Sequence, residues 1–371
     1  MFANGELLTS LFIVPYSAGL TNSHIAASYL NTGSTTSLNL VKQWIETCTA
    51  SHTYCSQARK HILPTRLIDV EPQEIECSAR LVSSGVLGSK TKYLTLSYRW
   101  GGRSSFVLRR SNLDAMMRSI DVAILPRTIA EAINITKRLG YRYLWIDSLC
   151  IIQDSQEDWL MEAPQMGQVY SNSTLTLAAT AGTDSETGLC AERYLIFELP
   201  CRILDTPMGG LHVMGNITPA LVDGLRNIDD APLNQRGWVL QERLLSSRIL
   251  NFMSKNPVWE CYDCQADEGD SQGRPVVNKL RWGARELLYP KSTSQFRCTL
   301  NNVRARVNQL GFWPSDHLKI PHGEWSRVTS WRVHDMWSNV LYKYTSCQLT
   351  DPNDRLPAIS GILREFERAL S

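Results

Sequence analysis

The sequence lacks an excess of either charge: Lys and Arg number 38 against 36 Asp and Glu. Such a balance gives no general electrostatic pull toward nucleic acid or an anionic membrane, so neither is expected as a partner. Long apolar runs are missing too. The stretch Leu7–Val14 is too short to span a bilayer. Met1 to Glu6 ahead of it contain no Lys or Arg, so the positive flank of a secretory signal is absent and the stretch reads as a strand or buried terminal segment. The ten cysteines fall short of disulfide-scaffold density. Several sit in apolar runs, where a reduced Cys behaves as a small hydrophobe, and a cytoplasmic protein is expected. No Walker loop, H-E-x-x-H or G-x-G-x-x-G occurs, so the common NTPase and dinucleotide-dehydrogenase readings lack their signature. Internal repeats and low-complexity tracts are absent as well.

What remains is a globular composition, 43% hydrophobic and 20% charged, in a chain long enough for one large domain or two modest ones. Residues 1–37 are rich in Ser, Thr, Asn and Gly and read as loosely structured. Leu38, Val41, Trp44, Ile45 and Cys48 recur at helical spacing, and extended segments follow at Leu67–Val70 and Ala79–Val82. The centre is more regular. Tyr93–Tyr98 is a strand running into the Gly101-Gly102 turn. Thr128 and Glu131 have capping-box spacing at the head of a helix that Gly140 ends. Tyr141–Ile146 is a strand stopping at Asp147, and the helix after it carries Pro164, which should kink or interrupt it. Thr174–Ala179 is a further strand, short strands and turns fill 190–230, and Val239–Leu245 is a short helix. Residues 325–345 read as helical, and a last helix runs from Ala358 to Leu370.

Strand, helix, strand, helix, strand implies α/β architecture with a mostly parallel sheet and helical crossovers. In such sheets ligands bind outside the carboxyl ends of the strands. Ser97–Gly101 and Asp147–Cys150 both occupy such ends. Ser97, Tyr98, Arg99, Trp100 and Gly101 offer a hydroxyl, aromatic faces, a guanidinium and a flexible turn, suited to a flat ring and a phosphate. Equally, the aromatics of a strand end can fill core. Asp147 can orient ribose hydroxyls or act as a base. Cys150 is a candidate nucleophile, but such a thiol needs a nearby base, no His is adjacent in sequence, and its apolar run favours core. In Arg236–Glu242, Trp238 and Glu242 are four apart and share a helix face, and a carboxylate beside an aromatic wall has a raised pKa. A core Trp beside a helix Glu is a common arrangement, so spacing alone is weak.

Cys48, His52 and Cys55 form C-x3-H-x2-C, and Cys261-Tyr262-Asp263-Cys264 is a C-x-x-C. Zinc would accept either half, but about two hundred residues separate them, nothing in the sequence joins them, and no metal ligand is assigned. Asn134, Asn172 and Asn216 match glycosylation sequons, which matter only in a secreted protein.

The ordered segments Leu63–Val70, Tyr93–Gly101, Leu125–Ile129, Tyr143–Asp154 and Arg236–Glu242 together resemble the fungal heterokaryon incompatibility (HET) domain. Trp44, Cys48, His52 and Cys55 upstream, and Asp354–Gly361 downstream, look like segments that flank it, so the resemblance covers about residues 38–365. The ending at Ser371 looks short for such proteins, as in a specialised or truncated member. The resemblance implies a HET-like α/β core over 93–250. An N-terminal helix and extended region would occupy 38–92, after a poorly defined 1–37, and a mainly helical extension 251–371. It also implies an effector of non-self recognition and programmed cell death.

A fainter resemblance to TIR domains, some of which cleave the nicotinamide–ribose bond of NAD, implies a TIR/Rossmann-like core. Glu242 would then be the catalytic acid with Asp147, and Trp238 would lie beside it. Ser97, Tyr98, Arg99, Trp100, Gly101 and Arg236 would bind substrate, with Tyr98 or Trp100 stacked on a base and Arg99 facing the diphosphate. NAD would enter as substrate, with no cofactor. A non-catalytic module that self-associates or binds a protein partner, and a Cys150-dependent hydrolase or transferase, are the alternatives.

Overall fold

The computed structural model describes residues 31–52, 55, 62–71, 79–101, 106–193, 228–275, 337–338 and 340–370, with the strands at 2–3, 6–7, 12–16, 201–206 and 209–214. In chain order the first elements are β1 (Phe2–Ala3), β2 (Glu6–Leu7), β3 (Phe12–Tyr16), α1 (Thr35–Ser51), β4 (Arg66–Asp69), β5 (Arg80–Ser83) and β6 (Leu94–Ser97). Next come α2 (Leu113–Arg118), α3 (Arg127–Arg138), β7 (Tyr143–Trp145), α4 (Asp147–Cys150), α5 (Gln156–Glu162), α6 (Met166–Asn172) and β8 (Leu175–Ala178). The chain closes with β9 (Cys201–Thr206), β10 (Gly209–Met214), α7 (Gly237–Leu245), β11 (Arg248–Phe252), β12 (Pro257–Cys261), β13 (Cys264–Asp267), β14 (Arg274–Pro275) and α8 (Pro357–Leu370). Of the helical segment expected over 325–345, the part before 337 lies outside the described residues, as does Gly102.

The main sheet has nine strands in the order β14-β13-β12-β11-β8-β6-β7-β4-β5. Its centre is parallel, β11 to β8, β8 to β6 and β6 to β7. Both margins are antiparallel. The sheet is therefore mixed where a mostly parallel one was expected. Helical crossovers serve only the central strands, whereas β4, β5 and β12–β14 are joined by short links that reverse direction. These marginal strands come from before residue 93 and after residue 250, so one sheet runs across both positions. A smaller antiparallel sheet joins β3, β10 and β9, and β1 pairs with β2.

Burial follows from this layering. Every residue of β6 and of β8 is buried, as expected of strands covered on both faces. Two of the hydroxyls this encloses, those of Thr95 and Thr176, bond each other at 2.8 Å. Helix α1 buries Leu38, Val41, Trp44, Ile45 and Cys48, the stripe read from spacing, and begins where the Ser34 hydroxyl accepts from the Ser37 amide at 3.2 Å. Pro164 interrupts its helix as expected: α5 ends at Glu162, a single 3-10 turn spans Ala163–Gln165, and α6 follows.

The Thr128/Glu131 capping box does not form. Helix α3 starts two residues earlier, with Pro126 as its N-cap and Arg127 as its first residue. Thr128 accepts from Gly188 N–H at 3.0 Å and Glu131 from the amides of Leu189 and Cys190. A neighbouring loop with unsatisfied amides has taken the caps.

The C-terminal helix α8 lays Ile359, Ile362 and Phe366 against Leu240, Leu244 and Leu245 of α7. Burying each such side chain is worth about 1.5–3 kcal/mol. The contact is close because a Cβ on Gly361 would stand 3.0 Å from the Gly167 Cα and 2.7 Å from the Gln241 Oε1. Helix α7 is thereby held from behind.

Candidate functional site

The carboxyl ends of β6 and β7 open toward one side of the sheet, and the chain departs from them in short polar turns. Ser97 is the last residue of β6 and is buried. Tyr98 follows and packs into the core at 2% exposure, its hydroxyl donating to Ser148 Oγ at 2.7 Å. Trp100 is half-buried, and its indole N–H donates to Asp147 Oδ2 at 2.9 Å. Of the two aromatic residues, Trp100 is therefore the one that retains an accessible face. Gly101 turns the chain with φ +79°, and a Cβ there would lie 2.9 Å from that of Asp184, so this position requires glycine.

Asp147 opens α4 just past β7. Its Oδ1 accepts from the Ser148 N–H at 2.7 Å. Desolvation raises its pKa, against the lowering effect of Arg236, the Ser148 amide and the Trp100 indole. Arg236, immediately before α7, donates to the Tyr98 carbonyl at 2.5 Å. It is the cation shared by Asp147 and Glu242, since its charge acts on both carboxyls.

Glu242 projects from α7 and is 4% exposed. Ser97 Oγ donates to its Oε2 at 2.5 Å, bridging the strand end to the helix. The Tyr170 hydroxyl, bonded to the Leu96 carbonyl at 3.0 Å, also lies against it. Burial pushes Glu242 up to about 7, and the nearby Asp147 adds to the rise; Arg236, Ser97 and Tyr170 hold it down. The result is a carboxyl group that exchanges its proton near neutrality, next to a second carboxyl of raised pKa. That pairing suits general acid–base work or stabilisation of a developing positive charge.

The remaining sequence candidates are placed elsewhere. Arg99 donates to the Pro232 carbonyl at 3.2 Å, bracing the turn before α7. Trp238 donates its indole N–H to Asp354 Oδ2 at 2.9 Å, tying α7 to the C-terminal segment. The aromatic contact that Glu242 makes is with Tyr170, a buried residue of α6. Cys150 is 1% exposed, and burial pushes its thiol up to about 12, so it has the character of core and not of a thiolate nucleophile. Tyr170 and Ser148 are the members of the cluster that sequence reasoning missed. Neither carried any signal beyond its burial or its neighbour.

Metal-ligating atoms converge at a second place, remote in sequence from this cluster. Among the described residues, Cys48, His52, Cys55 and Cys261 bring one ligand atom each to within 4.8 Å of all the others. Cys264, the other half of the C-x-x-C, directs its Sγ to the Gln265 carbonyl instead.

No curated protein and no solved structure matches this chain. The family described as "Heterokaryon incompatibility protein (HET)" does match, over residues 93–242. That span opens one residue before β6, closes on Glu242, and holds Ser97–Gly101, Asp147–Cys150 and Trp238–Glu242 together. This chain carries a HET domain.

Proposed function

We propose that this HET domain is a cytoplasmic effector of fungal non-self recognition and cell death, and that it acts by cleaving the nicotinamide–ribose bond of NAD. One observation carries the reading. Glu242 and Asp147 meet around Arg236 at the carboxyl ends of parallel strands, with Glu242 titrating at about 7. The central strands, β7-β6-β8-β11, have the spatial order 2-1-3-4 when numbered along the chain, which supports a doubly wound, TIR-like core with its crevice at those ends.

In this reading Trp100 stacks on a base and Arg236 faces the diphosphate. The C1′–N bond breaks with its electron pair passing to the nicotinamide ring, which leaves neutral. Ionised Glu242 stabilises the oxocarbenium-like centre, and water then adds to C1′ and gives its proton to a carboxylate. Ser97 must release Glu242 for substrate to reach it.

Purified protein incubated with NAD at concentrations that allow self-association should release nicotinamide, and Glu242→Gln should abolish the release while the fold is retained. Absence of nicotinamide from the wild-type protein under these conditions sinks the glycohydrolase reading. The burial of Glu242 favours a second reading, a non-catalytic module that self-associates or binds a protein partner. There Glu242 is a strut between β6 and α7, and Glu242→Gln retains cell killing.

A further inference from the structure

We infer that Cys48, His52, Cys55 and Cys261 form a structural zinc site that fastens helix α1 to strand β12 of the main sheet. Cys48 lies in the last turn of α1, His52 is its C-cap and Cys55 follows, while Cys261 ends β12. In a tetrahedral zinc site with Zn–S of about 2.3 Å and Zn–N of about 2.0–2.1 Å, neighbouring ligand atoms stand roughly 3.5–3.8 Å apart. Cys261 Sγ and His52 Nδ1 are already 3.4 Å apart, and all four ligand atoms fit within 4.8 Å. Three thiols and an imidazole are a donor set suited to zinc, and four protein ligands leave no open position, so the role is structural and not catalytic.

Two donors and one carboxylate face the sulfurs, the carboxylate being Asp263, whose Oδ2 accepts from the Cys55 thiol at 3.5 Å. Arg248 Nε donates to Cys48 Sγ at 3.1 Å, and the Cys264 amide donates to Cys261 Sγ at 3.2 Å. Three thiolates around a divalent ion leave one net negative charge. The buried guanidinium of Arg248 offsets it, and its second nitrogen fixes the ligand loop by donating to the Cys55 carbonyl at 3.1 Å.

The two halves are also aligned independently of any ion. Trp44 and Trp259 are in ring contact at 6.1 Å, and Trp44 Nε1 donates to the Ser271 carbonyl at 2.8 Å. Binding replaces three S–H bonds by S–Zn bonds and releases three protons to solvent, with no redox change. The inference does not rest on the reading of Glu242.

The test is the metal content of the full chain, expressed in zinc-containing medium, freed of loose metal by gel filtration and measured by plasma mass spectrometry. The expected result is about one zinc per chain. Cys55→Ser and Cys261→Ser should each fall below about a tenth of that, whereas Cys264→Ser should keep it, since its sulfur lies outside the set. Cobalt exchanged into the wild-type protein should show thiolate-to-cobalt charge transfer and intense tetrahedral bands, a readout that decides the matter even if the serine variants fail to fold. Folded wild-type protein without zinc, a disulfide among Cys48, Cys55 and Cys261, or equal metal loss from Cys264→Ser and Cys261→Ser would each overturn it.

Discussion

Glu242 and Arg243 are neighbours on one helix and both are buried, yet one is left short of compensation and the other is saturated with it. Arg243 forks onto Glu260 with bonds of 3.1 and 2.9 Å and reaches Asp229 at 2.6 Å. Burial would lower its pKa, but Glu260 and Asp229 outweigh that and hold it charged. Glu260 also receives the Asn251 amide at 3.0 Å and the Gln265 amide at 3.3 Å. Glu242 shares one guanidinium with Asp147 and takes a hydroxyl bond from Ser97. A saturated pair is a structural brace. An undercompensated carboxyl holds its proton up to neutrality. Adjacent positions of a helix thus serve opposite ends because they face different strands, β12 and β6.

The sharpest way to break this comparison is to unbalance the saturated side. Arg243→Met removes the guanidinium from buried Glu260 and should cost about 3–5 kcal/mol in urea denaturation. A loss under about 1 kcal/mol would mean that the amides alone compensate Glu260.

Glu242→Gln tests the other side through pH. Folded Glu242 keeps its proton up to about pH 7, whereas an unfolded glutamate loses it near 4.5. Between those values the folded state binds the extra proton. Rising pH therefore favours unfolding, by on the order of 3 kcal/mol once pH 7 is passed, with no contribution below 4.5. Melting curves at pH 5 and pH 8 should show that fall in the wild-type protein and a flatter profile in Glu242→Gln. Equal slopes would show that Glu242 is ionised in the folded state.

The smallest effect belongs to Ser97→Ala. Its hydroxyl stabilises the carboxylate form, so its loss should cost about 1 kcal/mol at pH 8 and move the end of the pH-dependent fall above that of the wild type. An unmoved transition would show that the 2.5 Å bond does not tune Glu242.

Legibility from sequence followed the range of the interactions. The buried stripe of α1, the interruption at Pro164 and the strands ending near Ser97 and Asp147 were readable because each depends on a few consecutive residues. The Thr128/Glu131 cap was misread because a loop some sixty residues away competes for the same side-chain oxygens. Trp238 was read as a wall for Glu242 because they share a helix face, but Asp354, 116 residues on, takes its N–H. The sheet was read as mostly parallel because the regular βα units dominate the pattern. The short-linked strands that widen it carry no crossover helix to declare their direction.

By itself the sequence determined the local elements, the apolar faces and the order of segments that mark a HET domain. Periodicity, turn chemistry and proline act within a few residues, and these features need nothing more. Only the tertiary structure decided that Ser97 meets Glu242 across 145 positions, that Cys261 and not Cys264 joins Cys48, His52 and Cys55, and that Arg243 is compensated while Glu242 is not. Burial and partnership depend on which surface covers a side chain, and that surface comes from distant parts of the chain.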